Sequence, residues 1–254
     1  MKPAMPISLS PNFLPQAGER SAASLRECHI NAQAVFVHDD LDGMSAAVAR
    51  RIAELAAQSI AARGIFHLAL AGGETPRRCY QKLRELAIDW PRVQIYFGDE
   101  RCLPIGDAQR NDSMARESLL DHVPIPPANI HSIPAELGAR EAAAIYAVLM
   151  DHIAPLDMVL LGMGEDGHTA SLFPDNPATE SASSVVPVFN APKSPAERVS
   201  LGMNTLNAAR QRIIILAGSG KRAALEQILL GNPLPAARVA AAEWHLDLAA
   251  LPEH

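Results

Sequence analysis

The chain reads as an α/β fold built on an open, mostly parallel twisted sheet with helices on both faces. Two observations predict it. Short, mostly apolar runs (34–37, 65–71, 93–97, 157–161 and 213–217) alternate with longer segments of helical spacing, the pattern of a parallel sheet. Three of those runs end in glycine-rich or charged clusters, which places polar chemistry at the carboxyl edge of the sheet, where open α/β folds bind ligands.

The elements follow in order. Residues 1–25 are punctuated by Pro and Ser and predict a loose N-terminal arm, with 26–254 forming a single α/β domain. Ala34–Val37 is the first strand. Asp42 then precedes an Ala-rich helix to about Arg63, whose Val48, Ile52 and Leu55 share a core face. The strand near 65–71 breaks into Gly72-Gly73-Glu74-Thr75-Pro76. Thr75 suits an N-cap and Pro76 the first helical turn, with Tyr80, Leu83 and Leu86 on successive turns behind them. A glycine loop at a helix start offers free N–H groups and the positive end of the helix dipole to an anion. The Gly-Lys-Ser/Thr ending of a Walker loop and the full G-x-G-x-x-G are both absent.

The strand 93–97 ends in Asp99-Glu100-Arg101; helices are expected near 111–121 and 139–152. After the strand 157–161 come three glycines, an acid and a histidine within Gly162–His168. Residues 174–197 carry five prolines and predict a long surface excursion beside the site. Ile213–Ala217 is another buried strand, followed by Gly-Ser-Gly-Lys221 and a helix at 221–229. The pattern assigns no element to 234–254.

Composition sets outer bounds. At 254 residues and 48% apolar content the chain can bury a sizeable core. Its formal charge of −6 and lack of a basic run argue against nucleic-acid binding. Cys28, Cys79 and Cys102 are odd in number and lack C-x-x-C spacing, which fits reduced thiols in a cytoplasmic protein. Lys2 is not followed by a continuous apolar run, so no secretory signal is expected. No run is long enough to span a bilayer. The nine histidines are scattered without H-x-x-x-H, so neither a metal nor a cofactor is expected; His67 and His131 read as packing or surface residues. No G-x-S-x-G elbow surrounds Ser171, which disfavours a nucleophilic serine.

Gly72–Pro76, Gly98–Arg101 and Gly162-Met-Gly-Glu-Asp-Gly-His-Thr-Ala-Ser-Leu-Phe-Pro174, with Arg198-Val-Ser-Leu201, Leu206-Asn-Ala208 and Ile213–Lys221, resemble the successive signatures of the 6-phosphogluconolactonases, in order from about residue 35 to 240. The long third motif is the specific one. The resemblance implies a Rossmann-like architecture shared with glucosamine-6-phosphate deaminase and ribose-5-phosphate isomerase, and hydrolysis of a phosphorylated δ-lactone. The closest competitor is the deaminase. Its acidic turn runs Asp-Glu-Tyr where this chain has Arg101, and its histidine motif carries a glutamate where this chain has Phe173. A catalytically silent sugar-phosphate sensor is the alternative from another class.

The site expected from the resemblance has His168 as base, Asp166 as its support or as a cap of the Gly-rich turn, and Arg101 for the oxyanion or the phosphate. Gly72, Gly73, Glu74, Thr75 and Lys221 are expected at the phosphate, with Asp99, Gly164 and Arg198 completing the substrate site. Asp99 either meets sugar hydroxyls or holds Arg101. Two departures from the family stand out: Glu74 sits where serine is usual, and Arg110-Asn-Asp-Ser-Met114 replaces Ser-Asn-Tyr. The expected partner is a small-molecule sugar-phosphate lactone, with neither nucleic acid nor membrane, on a monomer or weak homodimer.

Overall fold

Ten strands and six helices make up the computed structural model, which describes residues 26–30, 33–153 and 155–252. The expected N-terminal arm, 1–25, lies outside the described residues. In chain order the elements are β1 (Arg26–Ile30), β2 (Gln33–His38), α1 (Leu41–Arg63), β3 (Phe66–Leu70), α2 (Glu74–Leu83), β4 (Val93–Phe97), β5 (Asp99–Arg101) and α3 (Asn111–Ser118). There follow α4 (Ala139–Ile153), β6 (Met158–Gly162), β7 (Val185–Val188), β8 (Arg198–Leu201), α5 (Met203–Ala208), β9 (Gln211–Leu216), α6 (Arg222–Leu229) and β10 (Glu243–Asp247).

The main sheet has the order β1-β2-β10-β9-β6-β3-β4, and every pairing except β1 with β2 is parallel. Its central strands are largely apolar because both faces are covered: Leu68, Ile95, Val159, Leu160, Ile213, Ile214 and Trp244 are all buried. Apolar residues from sheet and helices join one core cluster. Among the described residues no helix is long and apolar enough to cross a membrane.

The helix ends follow from local chemistry. Asp40 caps α1 by accepting the Gly43 N–H at 2.7 Å, two residues before the expected start, so that Asp42 lies in the first turn. Gly64 closes α1 at φ 80°, its N–H donating to Ile60. Val48, Ile52 and Leu55 face the core, as the spacing predicts.

Two expectations are corrected. The Pro-rich segment 174–197 is not a bare excursion: it contains β7, which pairs with β8, itself paired on its other side with β5, in a second, antiparallel sheet. Pro187 is accommodated on that sheet's edge strand, where a missing N–H costs no ladder bond. The unassigned C-terminal segment supplies β10, inserted between β2 and β9. Gly98 ties the two sheets together, its N–H donating to the Leu70 carbonyl and its own carbonyl accepting from Leu201, both at 2.8 Å.

After β3 the chain moves outward to β4, then returns to β6 and on to β9. The strand order therefore reverses between β3 and β6, and the crevice that such a reversal opens lies at the carboxyl ends of these strands.

Candidate active site

A cavity of about 350 Å³ opens at that reversal. The loops after β3, β6 and β9, the strands β5 and β8, and the segment before β8 all contribute to its wall. Among the residues expected from sequence, Gly72, Gly73, Glu74, Thr75, Asp99, Arg101, Gly164, His168, Arg198 and Lys221 line it. Asp166 stands immediately behind His168 rather than on the wall.

The turn after β3 differs in detail from the expected cap. Gly73, at φ 105°, turns the chain two residues early, so α2 begins at Glu74 and Thr75 is a helical residue instead of its N-cap. The first intrahelical bond runs from the Arg77 N–H to the Gly73 carbonyl. Pro76 still lies within the first turn, where its missing N–H removes no intrahelical bond. The Glu74 side chain is 85% exposed and pairs with Arg77 at 3.2 Å. It is thus drawn along the helix surface toward Arg77. Gly72 is required for another reason: a Cβ there would lie 1.9 Å from Asn111 Oδ1.

After β6 the chain folds back so that the Gly164 N–H donates to the His168 carbonyl at 2.8 Å. Asp166 Oδ1 accepts from both the backbone N–H of His168 (3.2 Å) and its ring Nδ1, so support and turn-capping are performed by the same oxygen. Burial alone would raise the Asp166 pKa. The hydrogen bond and charge of His168 outweigh it and hold the carboxyl down at about 2. An ionised carboxylate only accepts, so Nδ1 carries the hydrogen and the lone pair resides on Nε2. Gly164 makes room for this pair, since a Cβ would fall 2.0 Å from Nδ1. Phe173 packs its ring 4.5 Å from the imidazole centroid, at the position where the deaminase motif has a glutamate.

Three further groups shape the centre. Asp99 accepts from Asn111 Nδ2 at 3.0 Å and from Ser171 Oγ at 2.6 Å. Its two carboxylate oxygens are thus held by buried donors, and no ion pair joins it to Arg101 among the described residues. Arg101 donates from Nη1 to the Gln109 carbonyl, while its Nε is buried with no hydrogen-bond partner among the described residues. Arg198 lies over the Phe173 ring at 5.5 Å and donates to the carbonyls of Lys193 (2.9 Å) and Pro195 (3.2 Å), not to a surface carboxylate. Burial pulls both Arg198 and Lys221 below their usual pKa ranges; for Lys221 the nearby Glu165 only partly counters it.

Sequence reasoning missed Asn111, Lys193 and Ser194, which also line the cavity, and the work of Ser171, which is fully buried as a donor to Asp99. It also gave Glu100 no role. That carboxylate is completely buried and accepts the N–H groups of Arg101 (2.8 Å), Asn111 (2.7 Å) and Asp112 (2.9 Å). Burial outweighs those donors and pushes it up to about 7. No cluster of His, Cys, Asp and Glu suited to a metal ion occurs among the described residues.

Known proteins match this arrangement. The sequence profile described as glucosamine-6-phosphate isomerases/6-phosphogluconolactonase matches residues 39–247. A 6-phosphogluconolactonase of Homo sapiens is 38% identical over 236 residues, covering 85% of this chain and 92% of its own length. One from Mycobacterium leprae is 36% identical, covering 84% and 95%. The crystal structure of 6-phosphogluconolactonase from Thermotoga maritima superposes with a TM-score of 0.78 at 28% identity, covering 84% of this chain and 98% of that one. With the histidine loop, the glycine turn and the strand reversal all in place, the chain belongs to the family of glucosamine-6-phosphate isomerases and 6-phosphogluconolactonases.

Proposed function

We propose that this protein hydrolyses 6-phospho-D-glucono-1,5-lactone to 6-phosphogluconate, the lactone-opening step of the oxidative pentose phosphate pathway. One observation carries the reading: an imidazole fixed by an ionised carboxylate faces the same crevice as the Gly72–Thr75 turn and Lys221. The names of the relatives point the same way.

In the reaction His168 Nε2 takes a proton from a water molecule as the water oxygen attacks the lactone carbonyl carbon. The carbonyl π electrons move onto its oxygen, and the unpartnered Nε of Arg101 is the donor suited to that oxyanion. Collapse of the tetrahedral intermediate breaks the bond to the ring oxygen, which receives the proton from the His168 imidazolium. Asp166 stabilises that imidazolium and preserves its orientation. At the other end, the Gly72, Gly73, Glu74 and Thr75 amides, the Thr75 hydroxyl and the Lys221 ammonium hold the phosphate. Asp99 and Arg198, braced by Ser171, Asn111 and the 193–195 carbonyls, border the sugar between the two ends. Gly164 contributes the space that the His168–Asp166 pair occupies.

The Phe173 ring against His168 leaves no carboxylate where the deaminase relay needs one. The test supplies freshly prepared lactone and follows acid release above the spontaneous rate. Clear acceleration is expected, with His168→Asn lowering kcat by roughly 10²- to 10⁴-fold at unchanged stability. Full activity in that variant would remove His168 from the mechanism. Binding of 6-phosphogluconate without acceleration would make the protein a sensor, and ammonia release from glucosamine 6-phosphate would make it a deaminase.

A further inference from the structure

Glu165 is the one charged member of the Gly162–His168 loop for which the hydrolytic scheme has no use. Its carboxylate lies outside the cavity wall yet touches the rim at two places. One oxygen is 3.5 Å from Lys193 Nζ. The other faces Gly220 so closely that a Cβ there would lie 3.3 Å from it, which sets the carboxylate beside the turn carrying Lys221. Lys193 and Lys221 both line the crevice, and they act on each other as like charges, with Lys221 also feeling the attraction of Glu165.

We infer that Glu165 is a positioning and specificity residue: its carboxylate occupies the Lys193–Lys221 pair in the empty enzyme and is displaced when a phosphate dianion arrives. The inference rests on the reading that the crevice takes a phosphorylated sugar acid. Two cations converging on one anion site repel one another, and an intervening carboxylate relieves that repulsion. The Lys193 and Glu165 side chains are 60% and 63% exposed, so the pair is screened and weak, and separating it costs little. A phosphate dianion carries more charge than the carboxylate and has more acceptor oxygens, so it wins the exchange. A neutral sugar leaves the latch shut. Because Glu165 bridges the loops after β6 and β9 to the segment before β8, the exchange also releases those loops from one another around the bound substrate.

The test is calorimetric titration of 6-phosphogluconate, and of unphosphorylated gluconate, into wild type, Glu165→Gln, Lys193→Met and the double variant. Removing the competing charge is expected to tighten 6-phosphogluconate roughly 3- to 10-fold in Glu165→Gln. The gain should shrink as salt is raised, be absent for gluconate, and be clearly smaller when Lys193→Met is the background, where only Lys221 is left to compete for. KM for the lactone phosphate should fall with the dissociation constant while kcat holds. Unchanged or weaker 6-phosphogluconate binding in Glu165→Gln, with the fold verified by circular dichroism, would overturn the latch. So would an equal gain in the Lys193→Met background. A wild type that binds 6-phosphogluconate, shows the gain, and yet fails to accelerate lactone hydrolysis would sink the assigned reaction and leave the latch standing.

Discussion

At the scale of single residues, the proposed mechanism depends on one carboxylate deciding which ring nitrogen of His168 is basic. Asp166→Asn tests this with little change of shape. An amide is able to accept from Nδ1 or donate to it, so it no longer enforces the productive tautomer. We expect kcat to fall at least 10²-fold while the thermal midpoint shifts little, because the Asp166 side chain is partly exposed and the loop is also held by the Gly164-to-His168 backbone bond. Wild-type kcat in that variant would mean the tautomer is fixed by something else. The histidine and its acid were readable in the sequence because both sit within one short glycine-rich motif. Asn111 and Ser171 were not, since each meets Asp99 only in three dimensions, 12 and 72 residues away along the chain.

At the scale of elements, the turn between β5 and α3 is organised around Glu100. Its carboxylate gathers the N–H groups of Arg101, Asn111 and Asp112, and Arg110 lies 3.9 Å away. Arg101 and Asn111 both reach the cavity, so a buried acid outside the cavity wall sets the position of two residues that line it. Glu100→Ala strands three backbone donors in a dry site; at about 1 kcal/mol or more each, the loss is on the order of 3 kcal/mol, readable as a lower urea midpoint. A midpoint within error of wild type would show that water or neighbouring carbonyls replace the carboxylate. Sequence analysis found Glu100 at a strand end, where charges are usually solvated. Only the return of α3 over that end reveals its burial. The strands β3, β4, β6 and β9 were legible because short, mostly apolar runs are what double-sided burial demands. The start of α2 was misplaced by two residues because the positive φ of Gly73, rather than the hydroxyl of Thr75, sets it.

At the scale of the whole molecule, the joint between the first and last parallel strands is polar. His38 Nε2 and His245 Nδ1 are 3.1 Å apart in stacked rings, and Glu243 is gripped by Nε and Nη2 of Arg51, the shorter contact at 2.6 Å. Burial first, then the neighbouring His245 and Arg50, lowers the His38 pKa from 6.5 to about 4, with Asp39 pulling weakly the other way. A histidine with a depressed native pKa makes no contribution above pH 6.5, where both states are neutral. Between 6.5 and 4 the unfolded chain takes up a proton that the native one refuses, so stability falls as pH drops. The loss is on the order of 3 kcal/mol across that window. His38→Gln should flatten the fall in melting temperature between pH 6.5 and 4.5; an identical slope in both proteins would place the acid sensitivity elsewhere. Glu243, depressed to about 2 by His245 and Arg51 against its own burial, adds a second loss that begins only below about pH 4.5. Nothing in the local sequence disclosed this joint, because β2 and β10 are about two hundred residues apart and a sheet's lateral order is not written in the periodicity of any one strand.

The insertion of β10 between β2 and β9 also has a consequence for biosynthesis. Of the ten strands among the described residues, the one that joins the β1–β2 pair to the rest of the sheet is translated last. Until it leaves the ribosome, β2 and β9 each present an apolar, unpaired flank to solvent, the surface that chaperones hold and that neighbouring nascent chains capture. A ribosome stalled before residue 243 therefore carries a polypeptide whose β1–β2 pair has no ladder to the strands from β9 to β4.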